Sequence, residues 1–191
     1  YADPLVKVTI VPRGRSLGAA WYLPDERTIN TKNQILDKMC TTLGGRAAEE
    51  LIFNEISTGA LSDLEKITKQ AQAMVSVYGL SEKIGNVSFY DSTGQGSGFT
   101  KPYSEDTAKL MDSEISRIIE ESYVKTLDLL RNNISGLKEI AKLLIDKEVI
   151  FKEDMERVLG ERNWQEPISI FQVEEPKQES ALTNDDVSEE A

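Results

Sequence analysis

The stretch Ser57-Thr58-Gly59-Ala60-Leu61-Ser62-Asp63-Leu64 leads from small polar residues into an amphipathic helix and sets a carboxylate just inside its start. An acid in a first helical turn is favoured by the partial positive charge of the unpaired N–H groups there. Leu61, Leu64, Thr68, Ala71, Val75 and Tyr78 recur at helical spacing and predict a helix over residues 59–78 with these on its buried side. Gly79 is the residue expected to end it.

Upstream, Thr31-Lys32-Asn33-Gln34 has the form of a capping box and predicts a helix beginning there. Ile35, Met39, Leu43, Ala47 and Leu51 form its apolar stripe. Gly44 and Gly45 fall mid-helix, where each costs about 1 kcal/mol relative to Ala. Their presence predicts close packing against another backbone. Before this helix, residues 5–11 alternate apolar and polar side chains and read as a strand. Gly14-Arg15-Ser16-Leu17-Gly18 forms a break, and residues 19–23 return as a second strand, giving a hairpin that ends at Pro24-Asp25-Glu26.

Downstream, Val87-Ser88-Phe89-Tyr90 suggests a short strand, and residues 91–101 a Gly/Ser/Thr loop. A long helix is predicted over residues 104–132. Its buried side is marked by Ala108, Met111, Ile115, Ile118 and Ser122 together with Ile119, Tyr123, Leu127 and Leu130. Shorter helices are expected over residues 137–146 and 152–159. The fold class expected is mainly α with a small β-hairpin. The organisation is one core-bearing domain over residues 1–163 and a disordered acidic tail over residues 164–191.

The chain has 191 residues and a net charge of −11. From Trp164 onward there are eight acids and one base, so −7 of that charge sits in the tail. With no basic stripe, nucleic acid is not an expected partner. Cys40 is the only cysteine, which excludes an internal disulfide and a cysteine-rich zinc site. No apolar run approaches the roughly 20 residues needed to span a bilayer, so any membrane contact is expected through sequence outside this chain. There is no histidine.

Taken alone, Asp63 reads most simply as a helix-start acid or a solvated surface charge. Glu49 and Glu50 read as one paired and one solvated acid, and Arg46 as the partner of an acid. Gly94-Gln95-Gly96-Ser97-Gly98 lacks the spacing of a phosphate loop, and Thr100-Lys101-Pro102 has the wrong order to complete one.

Several motifs in order change the weight of these residues. Lys7-Val8-Thr9-Ile10-Val11-Pro12-Arg13-Gly14, Gly44-Gly45-Arg46-Ala47-Ala48-Glu49-Glu50 and Ser57-Thr58-Gly59-Ala60…Asp63 together resemble the protease domain of the FtsH family. Tyr78-Gly79 with Ser81-Glu82-Lys83, and Tyr103-Ser104-Glu105…Thr107, extend the resemblance across residues 3–159. Members of that family are membrane-anchored, ATP-dependent zinc metalloproteases of the AAA+ class.

The resemblance implies a helical metallopeptidase domain in which Asp63 is the third zinc ligand, since Ser57 to Asp63 match the family's Ser-Thr-Gly-Ala-x-x-Asp pattern. It further implies that the other two ligands and the general-base glutamate lie on a His-Glu-x-x-His helix upstream of residue 1. This chain would then carry no catalytic residue of its own and be inactive alone. Glu49, on the same face as Gly45, is the candidate acceptor for the N–H of a zinc-bound imidazole. The implied cofactor is Zn2+, with ATP and Mg2+ entering only through an ATPase module that the chain lacks. The implied partners are polypeptide substrates and the other subunits of a homo-hexamer. The implied place is the cytoplasmic face of a bacterial inner membrane, or alternatively an organellar inner membrane. Extended substrate is expected along the edge of the strand at residues 5–11 or 19–23. The alternative function is a truncated pseudo-protease serving as an oligomerisation module.

Overall fold

The computed structural model describes residues 1–14, 17–23, 29–90 and 102–161. The loop at residues 91–101 and the tail at residues 164–191 lie outside the described residues, as do Arg15, Ser16 and the strand-ending Pro24-Asp25-Glu26. The elements are β1 (Leu5–Thr9), β2 (Ala19–Tyr22), α1 (Lys32–Phe53), α2 (Leu61–Ser76), α3 (Glu105–Asn132), α4 (Ile134–Lys147), β3 (Val149–Phe151) and α5 (Lys152–Leu159). A single 3-10 turn, Thr58–Ala60, leads into α2. The fold is mainly α with a small sheet.

Helix α1 starts where the capping box predicts. Thr31 Oγ1 accepts from Gln34 N at 3.3 Å, and Gln34 Oε1 accepts from Thr31 N at 2.7 Å. Met39, Leu43 and Ala47 of its predicted stripe are buried. Helix α3 packs along both α1 and α2, and the shared core is Met39, Leu43, Ile67, Ala71, Met74, Val75, Met111 and Ile118. The ends of the predicted α2 stripe are not in it: Leu61 is 73% exposed and Tyr78 60% exposed. Because α2 packs against both α1 and α3, its buried seam runs through Ile67, Ala71, Met74 and Val75. Gly79 takes φ +61 beyond the helix end, and Leu80 N donates back to Met74 O.

Two other expectations are corrected, and one is extended. A Cβ built on Gly44 or Gly45 meets nothing within 4 Å, so neither glycine serves close backbone packing in this structure. Residues 87–90 form no strand. The Phe89 amide instead donates to Ser76 O, and its ring stands edge-on to Tyr103 with centroids 5.2 Å apart. The expected hairpin is present, with Thr9 opposite Ala19 and Leu5 opposite Tyr22, but β3 pairs on the other side of β1, giving the order β2-β1-β3. Strand β1 is therefore central.

Candidate metal-site residues

Helix α1 stops at Asn54, whose left-handed φ of 53 turns the chain. Ser57 then caps the 3-10 turn, its Oγ accepting from Gly59 N at 3.2 Å. Ala60 is buried, anchoring the turn, and α2 begins at the next residue. Asp63 thus falls in the first turn of α2, where the helix dipole favours its charge. Its side chain is 43% exposed, and Lys66 Nζ lies 3.2 Å from Oδ1. Asp63 faces an open cavity of about 470 Å³ with Gly45, Arg46, Glu49 and Ser57. Phe53 of α1 and Leu137 of α4 form its apolar side.

The two acids after the double glycine part company. Glu49 Oε2 accepts from Ser57 N at 3.0 Å. The Ser57 hydroxyl first, then this amide bond, and to a smaller extent the Arg46 charge, hold the Glu49 carboxyl below the usual range. Glu50 accepts from the Tyr123 hydroxyl across the α1–α3 interface. Burial first, and then Glu50, push the Tyr123 phenol up to about 12. One acid therefore serves the Asp63 side of α1 and the other its α3 side.

The sequence reading missed Tyr22. Burial first, then the charges of Asp63 and Asp3, raise the pKa of its phenol. The end of the outer strand β2 thus lies within the field of Asp63. An aromatic residue on a short strand carries no sequence signal for this, because the neighbourhood is created by the pairing of β2 with β1. Of the two strands expected to take extended substrate, β1 has partners on both sides, and only β2 of that pair is an outer strand.

As a donor set for zinc these residues are incomplete. Catalytic zinc takes three protein ligands and keeps one position open. Among the described residues, no group of three or more His, Cys, Asp or Glu side chains could hold a metal ion. Asp63, partly exposed on the wall of an open cavity, fits as one oxygen ligand of a larger set.

Residues 1–158 match the model of peptidase family M41. The chain is 58% identical over 164 residues to an ATP-dependent zinc metalloprotease FtsH of Parabacteroides distasonis, a match covering 86% of this chain and 24% of that protein. It is 50% identical over 165 residues to an ATP-dependent zinc metalloprotease FtsH of Rhodothermus marinus, covering 85% of this chain and 24% of the relative. It is also 47% identical over 167 residues to the mitochondrial inner membrane m-AAA protease component AFG3L2 of Mus musculus, covering 87% and 21%. The chain spans about a quarter of the length of these relatives. A match to the family over most of its length, with the Ser57–Asp63 turn at the edge of an open cavity, makes this chain a member of peptidase family M41.

Proposed function

We propose that this chain forms the greater part of the proteolytic domain of a membrane-anchored, ATP-dependent zinc metalloendopeptidase that degrades unfolded or misassembled proteins. The observation that carries the reading is the placement of Asp63, one turn into α2 and on the wall of an open cavity, within a chain of this family. Asp63 supplies one zinc ligand. The intact protein supplies two histidines and a general-base glutamate from a helix outside this chain. When bound, zinc polarises a water and the scissile carbonyl. This chain's part is to hold a carboxylate at the metal, to wall the cavity with Phe53 and Leu137, and to offer the outer strand β2 to extended substrate.

ATP and Mg2+ act through an ATPase module outside this chain, and the assembly is a homo-hexamer of such subunits. Nucleic acid is not a partner. No helix among the described residues is long and apolar enough to cross a membrane, and membrane contact comes through other segments of the intact protein. Its place is the cytoplasmic face of a bacterial inner membrane, or alternatively an organellar inner membrane, one relative being a mitochondrial inner membrane m-AAA protease component.

Alone, this chain has no histidine and, among the described residues, one candidate ligand, too few for tight zinc binding. Calorimetric titration of the isolated chain is expected to show no tight one-to-one zinc site; a sub-micromolar site involving Asp63 would contradict the incomplete donor set. For the intact protein, the test is degradation of an unfolded casein. Cleavage is expected to need both hydrolysable ATP and bound metal. Undiminished cleavage after the metal is stripped would refute the reading.

A further inference from the structure

The Asp63 turn is tied to α1 by a bond that a helix start does not require. Glu49 Oε2 accepts from Ser57 N at 3.0 Å, and Ser57 Oγ in turn accepts from Gly59 N at 3.2 Å. Ser57 caps the 3-10 turn whose last residue, Ala60, is also the residue before α2. Glu49 lies on α1 ahead of the Asn54 bend, so this one carboxylate bridges the end of one helix and the start of the next. Glu49, Ser57 and Asp63 also face the same cavity. Apart from the buried Ala60 at its end, the connecting segment is open: Phe53, Ile56 and Leu61 are all more than half exposed.

We infer that Glu49 is a positioning residue for Asp63, acting through the Ser57 amide and the Ser57–Gly59 bond to hold the turn that presents the metal-binding carboxylate. This rests on the reading of Asp63 as a zinc ligand. The requirement at position 49 is a hydrogen-bond acceptor at the right reach. A charge is not essential, because a neutral amide oxygen also accepts from a backbone N–H. An acceptor for an imidazole N–H, by contrast, draws its effect from the negative charge that raises the ligand's basicity.

The test uses the intact zinc-binding protein with Glu49→Gln, Glu49→Ala and Asp63→Asn. Each is followed by amide exchange across residues 54–64 and by zinc affinity from competition with a chelator. Glu49→Gln is expected to stay close to wild type in both. Glu49→Ala is expected to speed exchange at the Ser57 amide, to leave α3 amides unchanged and to weaken zinc about 10–100-fold. Wild-type exchange at Ser57 in Glu49→Ala would overturn the clamp. Faster exchange with unchanged zinc affinity would make Glu49 a purely structural residue. Zinc loss in Glu49→Gln as complete as in Glu49→Ala would show that charge is needed, and would overturn the inference in favour of a contact at the metal or its imidazole. A second variant, Ser57→Ala, keeps the amide bond to Glu49 and deletes the hydroxyl that accepts from Gly59. It is expected to weaken zinc in the same direction, and unchanged affinity there would overturn the relay. Failure of the underlying reading looks different: Asp63→Asn would keep full zinc affinity while exchange at Ser57 stays normal.

Discussion

Glu114 has no exposed surface and carries a charge, which is costly unless every oxygen is engaged. Both are. Arg117 donates to the two oxygens at 3.0 and 2.8 Å, Ser81 Oγ donates to Oε2 at 2.9 Å, and Lys83 Nζ lies 2.8 Å from Oε1. These partners, the Arg117 bonds foremost, bring its carboxyl down to about 2. The group ties the segment after α2 to α3. Because the folded-state pKa is depressed, its contribution is fully present above the ordinary carboxylate range, about 4.5, and is lost as pH falls toward about 2. Glu114→Ala is expected to cost about 2 kcal/mol at neutral pH, the partly exposed Arg117 and Lys83 recovering water while the buried Ser81 hydroxyl does not. Its penalty is expected to shrink between pH 4.5 and pH 2, as followed by urea unfolding across that range. A penalty that does not change with pH would show that the carboxylate charge contributes nothing. Arg117 lies three residues on along the same helix, but the burial of Glu114 was not legible in the sequence, because Ser81 and Lys83 lie a whole loop away.

At the scale of elements, the helices were legible because their signals are local. Thr31 and Gln34 set the start of α1, and Met39, Leu43 and Ala47 repeat at one spacing. What failed depended on partners distant in sequence. Strand β3 is three residues between two helices, and only its pairing with β1 makes it a strand. The period of its apolar residues places the α2 stripe, but a helix packed against two others buries the seam that both neighbours share. The double glycine was read through its cost, and the structure leaves open space beside both positions. Gly44→Ala is accordingly expected to stabilise this chain by about 0.5–1 kcal/mol, by removing the backbone entropy cost without meeting any atom. Thermal unfolding of the purified chain measures it, and a loss of stability would restore the expectation of close packing. In the candidate site, Asp63 was legible through the motif that carries it. The Glu49–Ser57 bond and the nearness of Tyr22 were not, since each arises where two elements meet.

For the whole molecule, self-association as a ring is expected, held weakly in this chain. Segments outside it, an ATPase ring and membrane anchors, would raise the effective concentration of subunits in the intact protein. The net charge of −11 opposes assembly. Sedimentation is therefore expected to show a concentration-dependent equilibrium between monomer and hexamer that shifts toward hexamer as salt screens that charge. A strict monomer at high concentration and high salt, or a stable two-fold dimer, would contradict the ring. The proposed zinc site takes one carboxylate, Asp63, from this chain, so the most direct measurement is made on the intact protein. Zinc bound per subunit of the intact protein is compared with that of Asp63→Asn, after dialysis against a weak chelator, with far-UV circular dichroism confirming the fold. One zinc per subunit is expected in the wild type and a large loss of zinc in the folded variant; a folded Asp63→Asn protein that retains its full zinc would show that Asp63 is not a ligand.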